Sequence, residues 1–433
     1  MQVSRKNSIL VSSIAVVPIS MLMFGASGQN KPVKSPPKVT YYERVAGIVA
    51  NKCVECHRSG GVGPFSLTTM KDVVSHAPTL AAAVEKGTMP PWFAAPPEAG
   101  KASCWVNDKS LSADEKRDLV AWLKSDHPAG NAASAPVAKK YDDTWQIGKP
   151  DMIVQIPKSI AVKADGFMPY QLAFVPSGIS EDRWVSALEI LPTSRAVVHH
   201  VLVFVMPERG SAPRQRPVLG SGHLDVSAGF FAAYVPGNGV LSYPDGFAKK
   251  LPKNCNLIFQ IHYTPNGKAT EDQVRLGMIF SKTPPKHAVE TYGIANRFLS
   301  IPPGDANHVE TASVKPPVNV SIIGFAPHMH VRGKAFKYEL ETPDGKRTTL
   351  LDVPRYDFNW QLYYRPKVDM LIPAGSKMVA TAVYDNSKKN LANPDPTRTV
   401  PWGDQTYDEM MLGYVEYYQT DAVVQTAAKT AAK

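Results

Sequence analysis

Three groups of residues in this 433-residue chain have the types and spacings that bind metals. The first is Cys53-Val54-Glu55-Cys56-His57, a CxxCH pattern. Thiols at i and i+3 fall on one side of a helical turn, where both can form thioethers to the vinyl groups of one haem. The adjacent His then ligates the iron. The chain has only 4 Cys and 11 His, so chance seldom produces this pattern. Zinc is the alternative, but no second Cys/His pair follows at zinc-ribbon spacing. The motif therefore predicts a covalent haem c on Cys53, Cys56 and His57. Met89, in Gly87-Thr88-Met89-Pro90-Pro91-Trp92, is the expected second axial ligand, because a Pro-rich loop holds a thioether rigidly. Met70 competes, but it lies in an expected helix, where a Met is more often core.

The other two groups are histidines inside apolar, β-prone runs. His199-His200 lies within Val197 to Val205, His262 follows Gln260-Ile261, and His328-Met329-His330 follows Gly324-Phe325-Ala326-Pro327. A lone His in such a run is more often a satisfied core residue. Two pairs and a singlet in apolar strands are another matter, because unpartnered imidazoles are costly there. In HxH on a strand both rings point to one face, with Cα atoms roughly 6.5–7 Å apart, a span that two imidazoles can close around one ion. In HH the rings point to opposite faces, so both reach one metal only where the strand is bulged or ends. His328 and His330 thus form a half-site, and His199 and His200 need His262 or another ligand to complete theirs. Imidazole-rich sites without carboxylates suit copper or zinc rather than calcium or magnesium.

The elements that position these residues follow from periodicity. Tyr41 to Asn51 reads as a helix carrying Val45, Ile48 and Val49 on one face, and Ser112-Ala113-Asp114-Glu115 is a capping box opening another. Asp126 to Lys140 is rich in Ala, Pro, Gly and Ser and reads as a flexible linker. From Trp145 the runs Asp151–Ile156, Val197–Val205, Leu257–Tyr263, Val318–Phe325 and Met411–Tyr418 are short, β-prone and separated by Pro, Gly and Asn. The expected fold is a small all-α cytochrome c domain followed by two all-β, jelly-roll-like sandwiches. The expected division is a leader at 1–28, an N-terminal linker at 29–40, the haem domain at 41–125 and a linker at 126–144. The sandwiches then span 145–290 and 291–433, with their junction between Lys282 and Pro302.

The order of these motifs resembles the copper type II, ascorbate-dependent monooxygenases over roughly Trp145 to Gln419. The likeness rests on HH, an HY-containing strand, HxH followed by Gly333-Lys334, Tyr384-Asp385-Asn386-Ser387, and Asp408-Glu409-Met410. The resemblance implies two tandem β-sandwiches, each with one copper, facing each other across a solvent gap. It assigns His199, His200 and His262 to an electron-transfer copper. His328, His330 and Met410 go to the catalytic copper, where O2 binds. A thioether such as Met410 favours Cu(I), and strand alternation lets only one of Met410 and Met411 face the metal. Peptide-hydroxylating members carry an Arg two residues before HxH, where this chain has Ala326, although Tyr414 matches their other carboxylate-binding position. The fused CxxCH segment is a second departure, and a haem there offers a one-electron donor in place of ascorbate.

Composition sets the setting. Hydrophobic content of 44% and charged content of 20% are those of a globular chain, and no basic run with interleaved aromatics marks a nucleic-acid binder despite the net charge of +10. Arg5 and Lys6, the apolar stretch Ile9 to Phe24, and small residues at Ala26 and Gly28 read as a secretory signal cleaved near Gly28. An uncleaved anchor is the alternative, but the stretch is short for a span. The mature chain is then periplasmic or secreted, with no transmembrane domain. The expected activity is hydroxylation of a C–H bond in a small organic molecule by O2, with two coppers and the haem as cofactors and a periplasmic donor as a possible partner. The alternatives are a haem/copper electron-transfer protein without oxygenase activity and a sandwich that binds metal for stability alone. Cys104 and Cys255 could pair across domains.

Overall fold

The computed structural model describes residues 39–139, 141, 144–206 and 229–420. The expected leader and its cleavage near Gly28 lie outside them. Among the described residues, no helix is long and apolar enough to cross a membrane.

The α-helices come first. A π-helical turn, Tyr41–Val45, runs into α1 (Ala46–Lys52), and α2 (Met70–Ser75), α3 (Ala77–Lys86) and α4 (Ala113–Leu123) follow. Val45, Ile48, Val49, Val73, Leu119 and Trp122 close one small core. Capping boxes fix two starts, Thr69 with Asp72 on α2 and Ser112 with Glu115 on α4, each cap contributing about 1 kcal/mol. Gly87 ends α3 at φ +69, a left-handed conformation that costs a glycine little. Met70 opens α2 and packs on the helical core.

The segment between α3 and α4 leaves the helices. Phe93, Ala94 and Trp105 are buried in the core of the second sandwich. Backbone bonds hold them there, Ala95 N–H to Asp352 O at 2.8 Å and Val106 N–H to Arg365 O at 2.8 Å. The helical part is therefore packed on the second sandwich as well as joined to the first through the expected linker. Phe93 and Trp105 find their burial in the sandwich core and not in the helical one. The linker itself packs back at its start, where Trp122 Nε1 donates to Pro128 O at 3.0 Å.

Beyond residue 151 the chain is strands. The first sandwich sets one sheet, built on Arg183–Leu191, against another ordered Gln171–Pro176, Asn256–Tyr263, Val198–Met206, Ala232–Tyr234. Val201, Val203, Leu257, Phe259 and Ile261 fill the space between them. The second sandwich pairs a sheet ordered Glu290–Ala295, Leu412–Gln419, Val320–His328, Met370–Ile372 with one ordered His308–Val314, Lys377–Tyr384, Gly333–Glu341, Arg347–Val353. The chain passes from one sandwich to the other between His287–Ala288, which pairs with the first, and Glu290–Ala295, which pairs with the second.

Period-2 alternation gives each sheet a second apolar face. In the first sandwich Leu202, Phe204 and Ile258 point away from the core, and in the second Met410, Leu412 and Tyr414 do; these six meet in one inter-sandwich cluster. A buried ion pair, Lys249 with Glu416, crosses the same contact.

Candidate metal centre

The histidines sit where those two faces meet. His200 and His262 are directly paired across antiparallel strands, on the face that carries Leu202 and Ile258. The register slips between Val198 and His200, so His199 is an extra residue and its ring turns to the same side. The Nδ1 atoms of His199 and His200 are 2.9 Å apart, and ligand atoms of His199, His200 and His262 all lie within 4.8 Å of one another.

His328 ends the Val320–His328 strand, opposite Leu412, and His330 follows two residues later with its ring centroid 5.3 Å from that of His328. The same register carries Met410 to the level of His330. Alternation puts Met410 on the histidine face with Leu412 and Tyr414, whereas Met411 is buried in the core of the second sandwich. The resemblance favours Met410 over Met411, and the strand puts the two on opposite faces.

The resemblance implies a solvent gap between the two sets, and here the structure differs. His200 and His328 are 5.9 Å apart, centroid to centroid. All five histidines are between 0% and 8% exposed. The apolar inter-sandwich cluster closes the space that would otherwise hold water.

Burial dictates their charge. Desolvation, with neighbouring imidazoles adding to it, drives His199 down to about 3 and His262 to about 4, and desolvation alone takes His328 to about 4. His200 and His330 are pushed well below the usual imidazole range for the same reason. All five are neutral at neutral pH, the form that ligates a metal. Nε2 of His199, Nδ1 of His262 and Nε2 of His330 have no hydrogen-bond partner among the described residues. An orphaned buried nitrogen costs about 1–3 kcal/mol, and two of these belong to the clustered His199, His200 and His262, an arrangement that fits a metal centre better than a packed core.

A collar that sequence reasoning missed fixes the rings. Phe358 stacks on His199 at 4.6 Å. Gln361 Oε1 sits 2.7 Å from His328 Nδ1, and the Tyr356 hydroxyl bonds both N–H and C=O of Met329 at 3.1 and 2.8 Å. His330 Nδ1 donates to Asp408 O at 3.2 Å, which leaves Nε2 bare. Behind it, Glu409 is fully buried and accepts from the N–H of His330 at 2.8 Å, Arg332 at 2.6 Å and Met410 at 3.3 Å. Burial raises that carboxyl to about 8 against the pull of those N–H groups. Tyr356, Phe358 and Gln361 come from Tyr356-Asp357-Phe358-Asn359-Trp360-Gln361, an aromatic and amide run outside any strand whose sequence alone does not mark it.

Between the two sets lies a cavity of about 40 Å³ that His200 and His328 help to line. Ala326, in place of a cation, is part of its wall.

Cys53 follows α1, and its thiol and that of Cys56 are free. His57 Nδ1 donates to Phe65 O at 3.1 Å, so its Nε2 is the nitrogen left to ligate. Gly237 of the first sandwich closes on Cys56, where a Cβ would stand 3.2 Å from Sγ, and Arg195 donates to Gly60 O at 2.9 Å. Met89 is part-buried in the loop after α3. Cys104 is exposed and Cys255 is buried in the core of the first sandwich, both free, so the suggested pairing is not formed.

No curated protein matches this chain. Among solved structures, the major capsid protein P2 from bacteriophage PM2 aligns with 62% of this chain and 97% of its own at 11% identity, with a TM-score of 0.27. The VP2 subviral particle of infectious bursal disease virus aligns with 63% and 72% at 9% identity and a TM-score of 0.19. Likenesses at that level say nothing of function. Residues 296–432, the stretch holding His328, His330 and Met410, match the family described as copper type II ascorbate-dependent monooxygenase, C-terminal domain.

Proposed function

We propose that this chain is an exported haem c–dicopper monooxygenase that hydroxylates a C–H bond of a small organic substrate. The carrying observation is the meeting of two neutral imidazole sets, from different sandwiches, at one water-poor cavity. His199, His200 and His262 would hold one copper, and His328, His330 and Met410 the other. The donor set fits: neutral imidazoles, orphaned nitrogens, one soft thioether and no carboxylate ligand. Cys53, Cys56 and His57 would hold the haem, with Met89 as its second ligand. When bound, the coppers supply one-electron chemistry and a place for O2, and the haem supplies electrons.

The chain's own residues prepare that chemistry. Asp408 O and Gln361 Oε1 accept hydrogen bonds from the Nδ1–H groups of His330 and His328, which leaves Nε2 of each ring as the nitrogen for a metal. Phe358 and the inter-sandwich cluster exclude water, which suppresses loss of reactive oxygen species. Docking of the helical segment through Trp105 and Arg195 keeps the CxxCH loop beside the first sandwich.

Metal analysis with electron paramagnetic resonance on the purified protein tests the reading. Two coppers per chain, haem retained on a denaturing gel and product-coupled O2 uptake are expected. One zinc and no copper after reconstitution sinks the dicopper assignment. Haem lost on denaturation sinks the covalent attachment. Redox-active metal without O2 uptake makes the protein an electron carrier.

A further inference from the structure

The cavity between the histidine sets, about 40 Å³, has room for about one or two waters. A strong oxidant formed there with no substrate in reach has only the walls to attack. Those walls include His200, His328 and Tyr363. Tyr363 is also where three parts of the chain meet. It follows the collar in sequence, yet it packs in the core of the first sandwich. Its carbonyl accepts from Asn107 Nδ2, in the segment between α3 and α4, at 2.6 Å, and from Asn238 Nδ2, in a turn of the first sandwich, at 3.4 Å. Gly237, next to Asn238, closes on Cys56. One contact, one peptide step and one hydrogen bond therefore join the CxxCH segment to the cavity wall.

The Tyr363 hydroxyl donates to Glu416 Oε2, and Gly324 makes room for it, since a Cβ there would overlap the phenol. The other oxygen of Glu416 is paired with Lys249, whose Nζ also reaches Phe230 O, Phe231 O and Thr291 Oγ1 at 3.3, 3.1 and 2.8 Å. Burial and the Glu416 charge hold the phenol far above its usual range, so it is protonated at rest. A phenol that loses an electron becomes a strong acid, and a buried one is oxidised readily only if its proton leaves at the same time. Glu416 Oε2 is in place to take that proton. Radical and carboxylic acid are then both neutral, and the remaining positive charge rests on Lys249 among its three other oxygens. Tyr170 also stands beside the rings, 4.8 Å from His262, but the side chain next to its hydroxyl is Thr406, a poor proton acceptor.

We propose that Tyr363 is a redox-active relay: it gives one electron to an O2-derived oxidant formed at the histidine centre and its hydroxyl proton to Glu416, and so spares the histidines. The assignment rests on the oxygenase reading for the source of the oxidant, but not for the tyrosine–carboxylate pair. The step balances. The O–H bond of Tyr363 breaks, the oxidant gains one electron, and an O–H bond forms on Glu416. A one-electron reductant, such as the proposed haem beyond Gly237, then restores the phenol as Glu416 returns the proton.

The test is electron paramagnetic resonance of full-length, Cu(I)-loaded protein, freeze-quenched after mixing with O2 or, separately, with hydrogen peroxide, and with no substrate added. A tyrosyl radical is expected, with a signal that narrows when the tyrosines carry ring deuterium. Tyr363→Phe should remove that signal at wild-type copper content and increase the conversion of His200 and His328 to 2-oxohistidine, read by peptide mass spectrometry. The Lys249→Met, Glu416→Gln double variant has neither buried charge and keeps Tyr363 without a proton acceptor, so radical formation should slow by about 100-fold. Tyr170→Phe should keep the signal. A radical that survives Tyr363→Phe, or that forms as fast in the double variant, overturns the proposal. Absence of a radical after O2 in a protein that consumes O2, or after both oxidants in one that does not, overturns it as well. A Tyr363 radical formed with peroxide in a protein that consumes no O2 supports the relay and overturns the oxygenase reading instead.

Discussion

The imidazoles of His200 and His328 lie 5.9 Å apart although each belongs to a different sandwich. Neither sandwich contains this centre alone. The first offers three rings on the outer face of one sheet, the second offers two rings and Met410 on the outer face of another. Both faces are apolar around those residues, so the force that docks the sandwiches also assembles the site.

The two metal sets should nonetheless be separable. His330→Ala should lose one copper per chain and abolish O2 consumption. His199→Ala should lose the other and keep a site that binds carbon monoxide as Cu(I). Gln361→Leu, which frees the His328 ring from its hydrogen bond, should weaken copper binding there by about 10–100-fold. Competition with a chromogenic chelator measures all three, and loss of both coppers in every variant would make the centre a single unit.

Glu409 is the structural clamp of the second set. Glu409→Ala strands the buried N–H groups of His330, Arg332 and Met410. Stability should fall by about 3–5 kcal/mol, from about 1–3 kcal/mol for each donor left unmade. Urea denaturation of the metal-free protein checks this, and a loss under about 1 kcal/mol would mean that those N–H groups find other acceptors.

Lys249 and Glu416 pin the sandwiches together at 3% and 1% exposure. Lys249→Met leaves Glu416 buried and unpaired, at a cost of about 3–5 kcal/mol. Adding Glu416→Gln should return most of that loss, since the charge is then gone and one of Tyr243 and Tyr363, which bond different oxygens of Glu416, keeps its acceptor. A double variant no more stable than the single one would show that the ion pair itself, and not the relief of an orphan charge, holds the contact.

Trp105 belongs by sequence to the helical part and by packing to the second sandwich. Trp105→Ala should cost about 3–5 kcal/mol and lower the helical and sheet signals in one transition. Two transitions in the wild-type denaturation curve would argue that the parts unfold independently.

Much of this was legible in the sequence. The strands at Val198–Met206, Asn256–Tyr263, Val320–His328 and Leu412–Gln419 stand within a residue or three of the β-prone runs, because alternation and turn residues are local signals. The capping box at Ser112 was equally local. The docking of Phe93 and Trp105 was not readable, since nothing in a Pro-rich loop states which core its aromatics will enter. Nor was the closeness of His200 to His328, which depends on how two sheet faces meet. The collar lay in a stretch without periodicity, where Gln361 and Phe358 look like any loop residues until the fold brings them to the histidines.

The approach of Gly237 to Cys56 bears on which residue position 237 can carry. A turn of the first sandwich, held between Val235 and Asn238, lies so close to the Cys56 sulfur that even a methyl group at 237 would touch it. If the haem proposed above is attached to that sulfur, the turn and the thioether share one side of it, and any side chain at 237 would press on the bond. The glycine is then demanded twice, by the left-handed turn at φ +79 and by the neighbouring CxxCH segment, although the two lie far apart in sequence.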